Sequence, residues 1–395
     1  MKTPVIPSPI GFKAGGIHCG IKKRHKDLAL IYSQVPAAAA GMLTTNQAKA
    51  APVKITKEVI ADGAVQAIIV NSGNANACTG VQGERDALEM ARATAEKLNI
   101  DISKVAVAST GHIGKLLPIR KIINGIEKLS SRLSPNQFLG VAQAIMTTDT
   151  HPKYISRQIN LGGKIITITA VAKGAGMIYP HMATMLCFIC TDLNIAPPLL
   201  SGIVTNSVSR SFNCISVDAC TSTNDMVLAM ANGMAENPRI DSPGNELNIV
   251  QEEFNHITIE LAQMIVADAE GATKLIQVEV TGCHSFDGAR RIAFSVANFN
   301  LLKCTFFGAS INWGRIMAAI GSAPVRLDPA QIDVYLHEKQ IIKNGNLTTG
   351  IPLPEISALL KQRNITVKID LHQGSHGATV WTCDLSPKYI KINMQ

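Results

Sequence analysis

Short apolar runs alternate with amphipathic helical stripes along the whole 395-residue chain, and none of the runs is long enough to leave the aqueous phase. The runs at 66–70, 104–108, 164–171, 276–280, 365–371, 379–381 and 389–392 are rich in Val, Ile and Thr and read as buried strands. Between them, 84–98 carries Leu88, Ala91, Ala95 and Leu98 on one helical stripe, and 246–267 reads as a long amphipathic helix. Ser134-Pro135 is a helix start, with an N-cap, Pro at the first helical position, and Phe138, Val141, Ala142 and Ile145 at helical spacing after it. Stretches 237–245 and 343–354 read as loops. The pattern is α/β or α+β, with helices covering sheet faces. No run of roughly 18 apolar residues occurs, so no membrane-spanning helix is expected. Residues 1–20 hold Pro4, Pro7 and Pro9 and no apolar stretch of signal-peptide length, which points to the cytoplasm.

The formal net charge is +8, which admits nucleic acid, an anionic membrane or a small acidic substrate. The densest basic run is Lys22-Lys23-Arg24 with Lys26, and no aromatic residues interleave with it. That argues against a nucleic-acid or membrane partner and leaves a mildly basic soluble protein first, and one that takes small acidic substrates second. The nine cysteines are odd in number and scattered mostly through apolar runs, which suits buried, reduced thiols rather than a disulfide framework. Cys187-Phe-Ile-Cys190 has metal-like spacing, but it lies in a strand-like run with no second Cys or His pair, so no metal is expected.

Chemistry concentrates between Lys173 and Leu186, in Lys173-Gly174-Ala175-Gly176-Met177-Ile178-Tyr179-Pro180-His181-Met182-Ala183-Thr184-Met185-Leu186. Two glycines permit tight turns, and Thr184 opens a new apolar run. A threonine at a strand start is, by itself, a structural residue favoured by its β-branch. The segment, however, resembles the self-processing site of the ornithine acetyltransferase (glutamate N-acetyltransferase) family, with its Lys-Gly-x-Gly-Met … Pro-x-Met-Ala-Thr-Met-Leu signature. That resemblance implies cleavage between Ala183 and Thr184, with Thr184 the nucleophile both of cleavage and of acetyl transfer. The physical case is coherent. A hydroxyl needs a base. A freed α-amine, with a pKa of about 7.7–8.0, can act as one from the nucleophile's own residue.

Further blocks carry the resemblance over nearly the whole chain. They include Pro9–Ile17, Asp27–Ile31, Thr44-Thr45-Asn46 and Ala50–Val53, the Asn-rich Val70–Gly80, Asn312–Gly321, and Trp381–Leu385. Val70–Gly80 is expected to shape the site without reacting. The resemblance implies an oxyanion hole at Thr110 and Gly111, just after the strand 104–108, where one backbone N–H and one hydroxyl would meet a developing oxyanion. It implies substrate contacts from a threonine of the block Met146–Thr150, taken here as Thr150. Lys173, whose cation suits a carboxylate, Glu270, whose anion suits the ornithine ammonium, and Asn393 on a C-terminal strand complete the set. Asp218 and Thr221–Asp225 match a block ahead of a short helix, where Asn224 or Asp225 would cap.

The resemblance further implies two stacked β-sheets flanked by helices, an αββα-like sandwich, with a smaller C-terminal α/β lobe near 281–375. Residues 1–183 and 184–395 would form the α and β chains, two of each in a heterotetramer. Acetyl would pass from N-acetylornithine to Thr184 and then to glutamate in arginine synthesis, without metal or organic cofactor, and with acetyl-CoA as a possible further donor. Departures from the family pattern are His181 for Asn, Ala175 for Ser, His112 after the Thr-Gly pair, and Ala219-Cys220 for Gly-Asp. The sequence also stops at Gln395, short of a terminal hydroxyl residue seen in relatives, which implies weaker substrate holding. Two rivals stand beside this reading: a related self-processing aminopeptidase, disfavoured by the Asn-rich block and Glu270, and a non-catalytic member of the family.

Overall fold

The computed structural model describes residues 7–179, 185–310, 312–350 and 353–394. The expected scissile pair, Ala183 and Thr184, and the departure His181 lie outside the described residues. The chain forms two compact units: 1–174, 181–213 and 221–265 make the first, and 175–180, 214–220 and 266–395 make the second.

The first unit is built on one sheet. Its strands are β1 (Phe12–Ile17), β2 (Leu28–Leu43), β3 (Ala64–Asn74), β4 (Val105–His112), β5 (Lys153–Leu161), β6 (Lys164–Lys173), β7 (Leu186–Thr191) and β9 (Met226–Ala231). Their order is β4-β3-β2-β9-β7-β6-β5, with β1 pairing β2. Period-two alternation explains its burial on both faces. In β3, Ile68 and Val70 join one core with Phe138, Val141 and Ile145 of α4 (Phe138–Ile145). Ala67 and Ile69 point the other way, against Met90 of α2 (Gly80–Leu98) and Ile122 and Ile126 of α3 (Ile119–Ser130). α1 (Ala51–Ala61), α5 (Pro197–Arg210) and most of α6 (Asn245–Ala267) complete this unit.

The second unit's sheet runs β13-β12-β11-β14-β10-β15-β8. Its strands are β8 (Ile215–Ser216), β10 (Leu275–Cys283), β11 (Asp333–Leu336), β12 (Lys339–Lys343), β13 (Asn346–Leu347), β14 (Asn364–Asp370) and β15 (His376–Cys383). One face carries the main apolar core. Ile276, Val278 and Val280 of β10 meet Ile292 and Val296 of α7 (Phe286–Ala297) and Ile320 of α9 (Trp313–Gly321). The intervening Gln277 and Glu279 are less buried. α8 (Asn300–Phe307), α10 (Leu353–Leu360) and α11 (Pro387–Asn393) are the remaining helices described.

The mixed α/β class, with two multi-strand sheets and flanking helices, is the one expected. Several local readings change. Leu88 is 43% exposed, because the buried stripe of α2 runs through Ala87, Met90, Ala91 and Ala95 instead. Residues 389–392 are helical, within α11. Ser386 accepts a hydrogen bond from Lys388 N–H and Pro387 starts the helix, so capping overrides the β-rich composition. Ser134-Pro135 opens a 3-10 turn (Pro135–Gln137) that leads into α4. Residues 221–225 precede strand β9 rather than a short helix, so Asn224 and Asp225 cap nothing. Stretch 343–354 is not all loop, since it holds β13 and the start of α10.

Candidate active site

Thr110 and Gly111 do not follow β4 but form its C-terminal end. Thr110 is only 3% exposed. Gly111 has φ +133°, and a Cβ there would lie 2.3 Å from the Gly73 carbonyl carbon, so only glycine lets the two strand ends approach. The Asn-rich block supports this corner, and its amides are spent on backbone. Asn71 donates to the Asn74 carbonyl at 2.8 Å and accepts from the Ser109 hydroxyl at 2.6 Å. Asn74 donates to the carbonyls of Lys115 and Leu116, and Asn76 to that of Gly83. A shaping role fits these contacts, because each amide is already satisfied.

Asn224 and Asp225, adjacent in sequence, connect this corner to the residue after Thr184. Asn224 Nδ2 donates to the carbonyls of Ala75 at 2.6 Å and Ser109 at 2.9 Å. Met185 N–H donates to Asp225 Oδ1 at 2.9 Å. Asp225 is fully buried, and its Oδ2 has no hydrogen-bond partner among the described residues. Burial pushes its carboxyl well above the usual range, and the Met185 N–H and the Lys173 ammonium only partly offset this. Sequence reading missed this carboxyl, since no spacing rule separates a buried acid from a helix cap.

Lys173, the last residue of β6, is 2% exposed and no surface lysine. Its ammonium donates to Thr147 Oγ1 at 2.7 Å and stands 3.9 Å from Asp149. Asp149 also pairs with buried Lys153 at 2.8 Å and accepts from the N–H groups of Thr147 and Gly174. Burial alone would raise the Asp149 carboxyl. The Lys173 and Lys153 ammoniums reverse that and hold it well below the usual carboxylate range. A cavity of about 500 Å³ opens here, lined by Thr147, Asp149 and Thr150 together with Lys22, Arg24 and Lys26. Thr150 is thus in the right neighbourhood, but Thr147 is the threonine whose hydroxyl meets Lys173. Lys22 supports the turn before Thr147, donating to the carbonyls of Lys26, Ala144 and Met146. Burial pulls its ammonium down to about 8, with Asp27 opposing.

In the second unit, Glu270 and Asn393 meet. Asn393 Nδ2 donates to Glu270 Oε2 at 2.8 Å and to the Tyr389 carbonyl at 3.0 Å, so it acts from helix α11 rather than from a strand. Glu270 N–H donates to the Ala175 carbonyl at 2.8 Å. A Cβ at Gly176 would sit 2.6 Å from the Glu270 carboxylate, which explains the second glycine of the Lys-Gly-x-Gly motif. Cys187 and Cys190 are buried within β7, and burial raises both thiols. No group of three or more His, Cys, Asp or Glu suited to a metal occurs among the described residues.

The chain is an acyltransferase of arginine biosynthesis, as its similarity to named proteins of that pathway over nearly its whole length shows. The chain belongs to the ArgJ family, whose family model matches residues 13–395. The arginine biosynthesis bifunctional protein ArgJ of Listeria monocytogenes is 46% identical over 98% of this chain and 97% of its own length. The protein of the same name from Symbiobacterium thermophilum is 44% identical over 98% and 97%. A crystal structure of the corresponding Bacillus halodurans protein is 35% identical, covering 52% of this chain and 97% of its own, with a TM-score of 0.51.

Proposed function

We propose that this chain cleaves itself between Ala183 and Thr184 and then moves acetyl from N-acetylornithine to glutamate through acetyl-Thr184. The observation that carries the reading is the pair Asn224–Asp225. One side chain holds the strand end bearing Thr110 and Gly111, and the other holds Met185, the covalent neighbour of Thr184. In cleavage, Thr184 Oγ attacks the Ala183 carbonyl and loses its proton, while the amide C–N bond breaks and the Thr184 nitrogen gains one. Water then hydrolyses the ester. The α-amine so freed takes the Oγ proton when Thr184 attacks the donor's acetyl carbonyl, and it returns a proton to the ornithine nitrogen as that leaves. Thr110 Oγ1 and Gly111 N–H stabilise the oxyanion in each step. Glutamate then attacks the acetyl ester.

Lys173 suits a substrate carboxylate beside Thr147 and Thr150, and Glu270 with Asn393 suits the ornithine ammonium. Acetyl-CoA is a further candidate donor, and no organic cofactor or metal is invoked. The α and β chains would remain together, two of each, in the cytoplasm. No described helix is long and apolar enough to cross a membrane. Release of ornithine from N-acetylornithine, assayed with and without glutamate, tests the reading. Release that stops at about one equivalent per enzyme without glutamate and turns over with it supports transfer to an amino acid, whereas equal turnover in water alone supports the aminopeptidase rival.

A further inference from the structure

Asp218 has no role in the chemistry above, yet four hydrogen bonds converge on its carboxylate within the second unit. Its Oδ2 accepts from Met177 N–H at 2.7 Å and its Oδ1 from Ile178 N–H at 2.8 Å. Oδ1 also accepts from Cys220 N–H at 3.3 Å, and the Tyr389 hydroxyl donates to Oδ2 at 3.1 Å. Burial and the nearby Asp218 charge both raise the Tyr389 phenol, so it stays a donor at neutral pH. The two consecutive N–H groups belong to a bend whose first residue is strained. Met177 has φ +58°, a left-handed conformation that an unbranched L-residue adopts only against a steric cost.

The same short segment is fixed on either side of the bend. Ala175 O accepts from Glu270 N–H at 2.8 Å, and Ile178 O accepts from Val217 N–H at 2.9 Å. Buried Lys303 in turn donates to the Val217 carbonyl and to Thr382 Oγ1, both at 2.9 Å, which stiffens the bend presenting Asp218. A lone structural turn does not need a carboxylate with both oxygens committed to adjacent amides. The segment it grips ends a few residues before the expected scissile bond, and Met185, just beyond that bond, is anchored by Asp225.

We infer that Asp218 is a positioning residue for self-cleavage. Its carboxylate holds Met177 in the left-handed conformation and so sets the path of the chain entering the Ala183–Thr184 bond. The inference rests on the self-cleavage reading above. Cleavage is intramolecular, so its rate depends on how often the chain visits the attack geometry. Loss of the clamp releases Met177 to ordinary backbone conformations and slows the reaction without touching the reacting atoms.

The test is pulse-labelled cell-free synthesis of the full chain, with cleavage followed on a gel for Asp218→Asn, Met177→Val, Met177→Gly and the double variant D218N/M177G. Asparagine keeps the shape but turns an amide nitrogen toward one of the two N–H groups. Valine disfavours positive φ with Asp218 intact, and glycine adopts it unaided. Asp218→Asn and Met177→Val should each slow cleavage by about tenfold or more, the size of one left-handed penalty or one charged hydrogen bond. Met177→Gly should match the wild type, and D218N/M177G should run clearly faster than D218N. Urea midpoints of the same variants in a Thr184→Ala background separate this from a merely structural loss, since cleavage should slow by more than any fall in midpoint accounts for. Wild-type rates in both Asp218→Asn and Met177→Val, or no rescue by glycine, overturn the inference. Should Asp218→Asn prove insoluble, Met177→Val decides alone. A wild-type chain that never cleaves sinks the self-processing reading itself, a distinct result.

Discussion

Met185 N–H donates to the buried carboxyl of Asp225 at 2.9 Å, which fixes the first described residue beyond Thr184 to the same two-residue segment that holds the end of β4. Because burial keeps Asp225 protonated well above the usual range, this bond has a pH signature. The folded protein retains a proton that the unfolded chain loses above a pKa of about 3.9. Asp225 therefore costs stability as pH rises. Asp225→Asn removes that cost while its amide oxygen still accepts from Met185. In a Thr184→Ala background, the urea midpoint of Asp225→Asn should exceed that of its parent by more at pH 8 than at pH 5. An unchanging gap would show that Asp225 is ionised in the folded protein.

The two cations on Asp149 should separate by function. Lys153 is the 2.8 Å partner, whereas Lys173 stands 3.9 Å away and is bonded to Thr147. Lys153→Met should lower stability by about 3 kcal/mol, as removal of one partner from a buried pair does. Lys173→Met should cost less stability and instead raise KM for glutamate roughly ten- to a hundredfold, the size of a lost hydrogen bond to a charge. Urea titration and steady-state kinetics on both variants check the split. Asp149 itself, with its carboxyl depressed, gives its full stabilisation at neutral pH and loses it only as acid reaches below the usual carboxylate range.

Thr110→Ala should lower kcat by roughly 10²–10³, the usual loss for one oxyanion donor. Stability should change little, because no hydrogen bond of the Thr110 hydroxyl within the fold is needed to explain its burial. Stopped-time assays of ornithine release give kcat directly, and an unaltered value would remove Thr110 from the site.

Ala219 has a φ of +58°. It is exposed, so no packing offsets the strain. Ala219→Gly should stabilise the protein by about 1 kcal/mol, less whatever glycine adds to the entropy of the unfolded chain. Thermal unfolding of the variant beside the wild type checks the sign.

The core strands were legible because their runs are apolar and rich in β-branched residues: 66–70, 105–108, 164–171 and 276–280 all sit inside strands of the structure, with Lys104 ending the 3-10 turn before β4. Readings failed where a local signal opposed composition. Tyr389–Ile392 look like strand residues, but Ser386 and Pro387 cap and start a helix. Leu88 lies one residue past Ala87 and so points away from the face that Ala87, Ala91 and Ala95 bury. Motif resemblance pointed to Lys173, Glu270 and Asn393. The sequence could not reveal that Lys173 is buried and bonded to Thr147, nor that Glu270 and Asn393 touch. Asp218 and Asp225 stayed hidden, since an acid's task depends on which backbone N–H groups reach it, and those come from 40 residues upstream in both cases.

The most direct test is mass spectrometry of the purified protein after incubation with N-acetylornithine and no glutamate. The account predicts two fragments, 1–183 and 184–395, with one acetyl group on the second, placed on Thr184, and its loss on adding glutamate. Active protein that remains one intact chain, or acetyl found on any other residue, would contradict it.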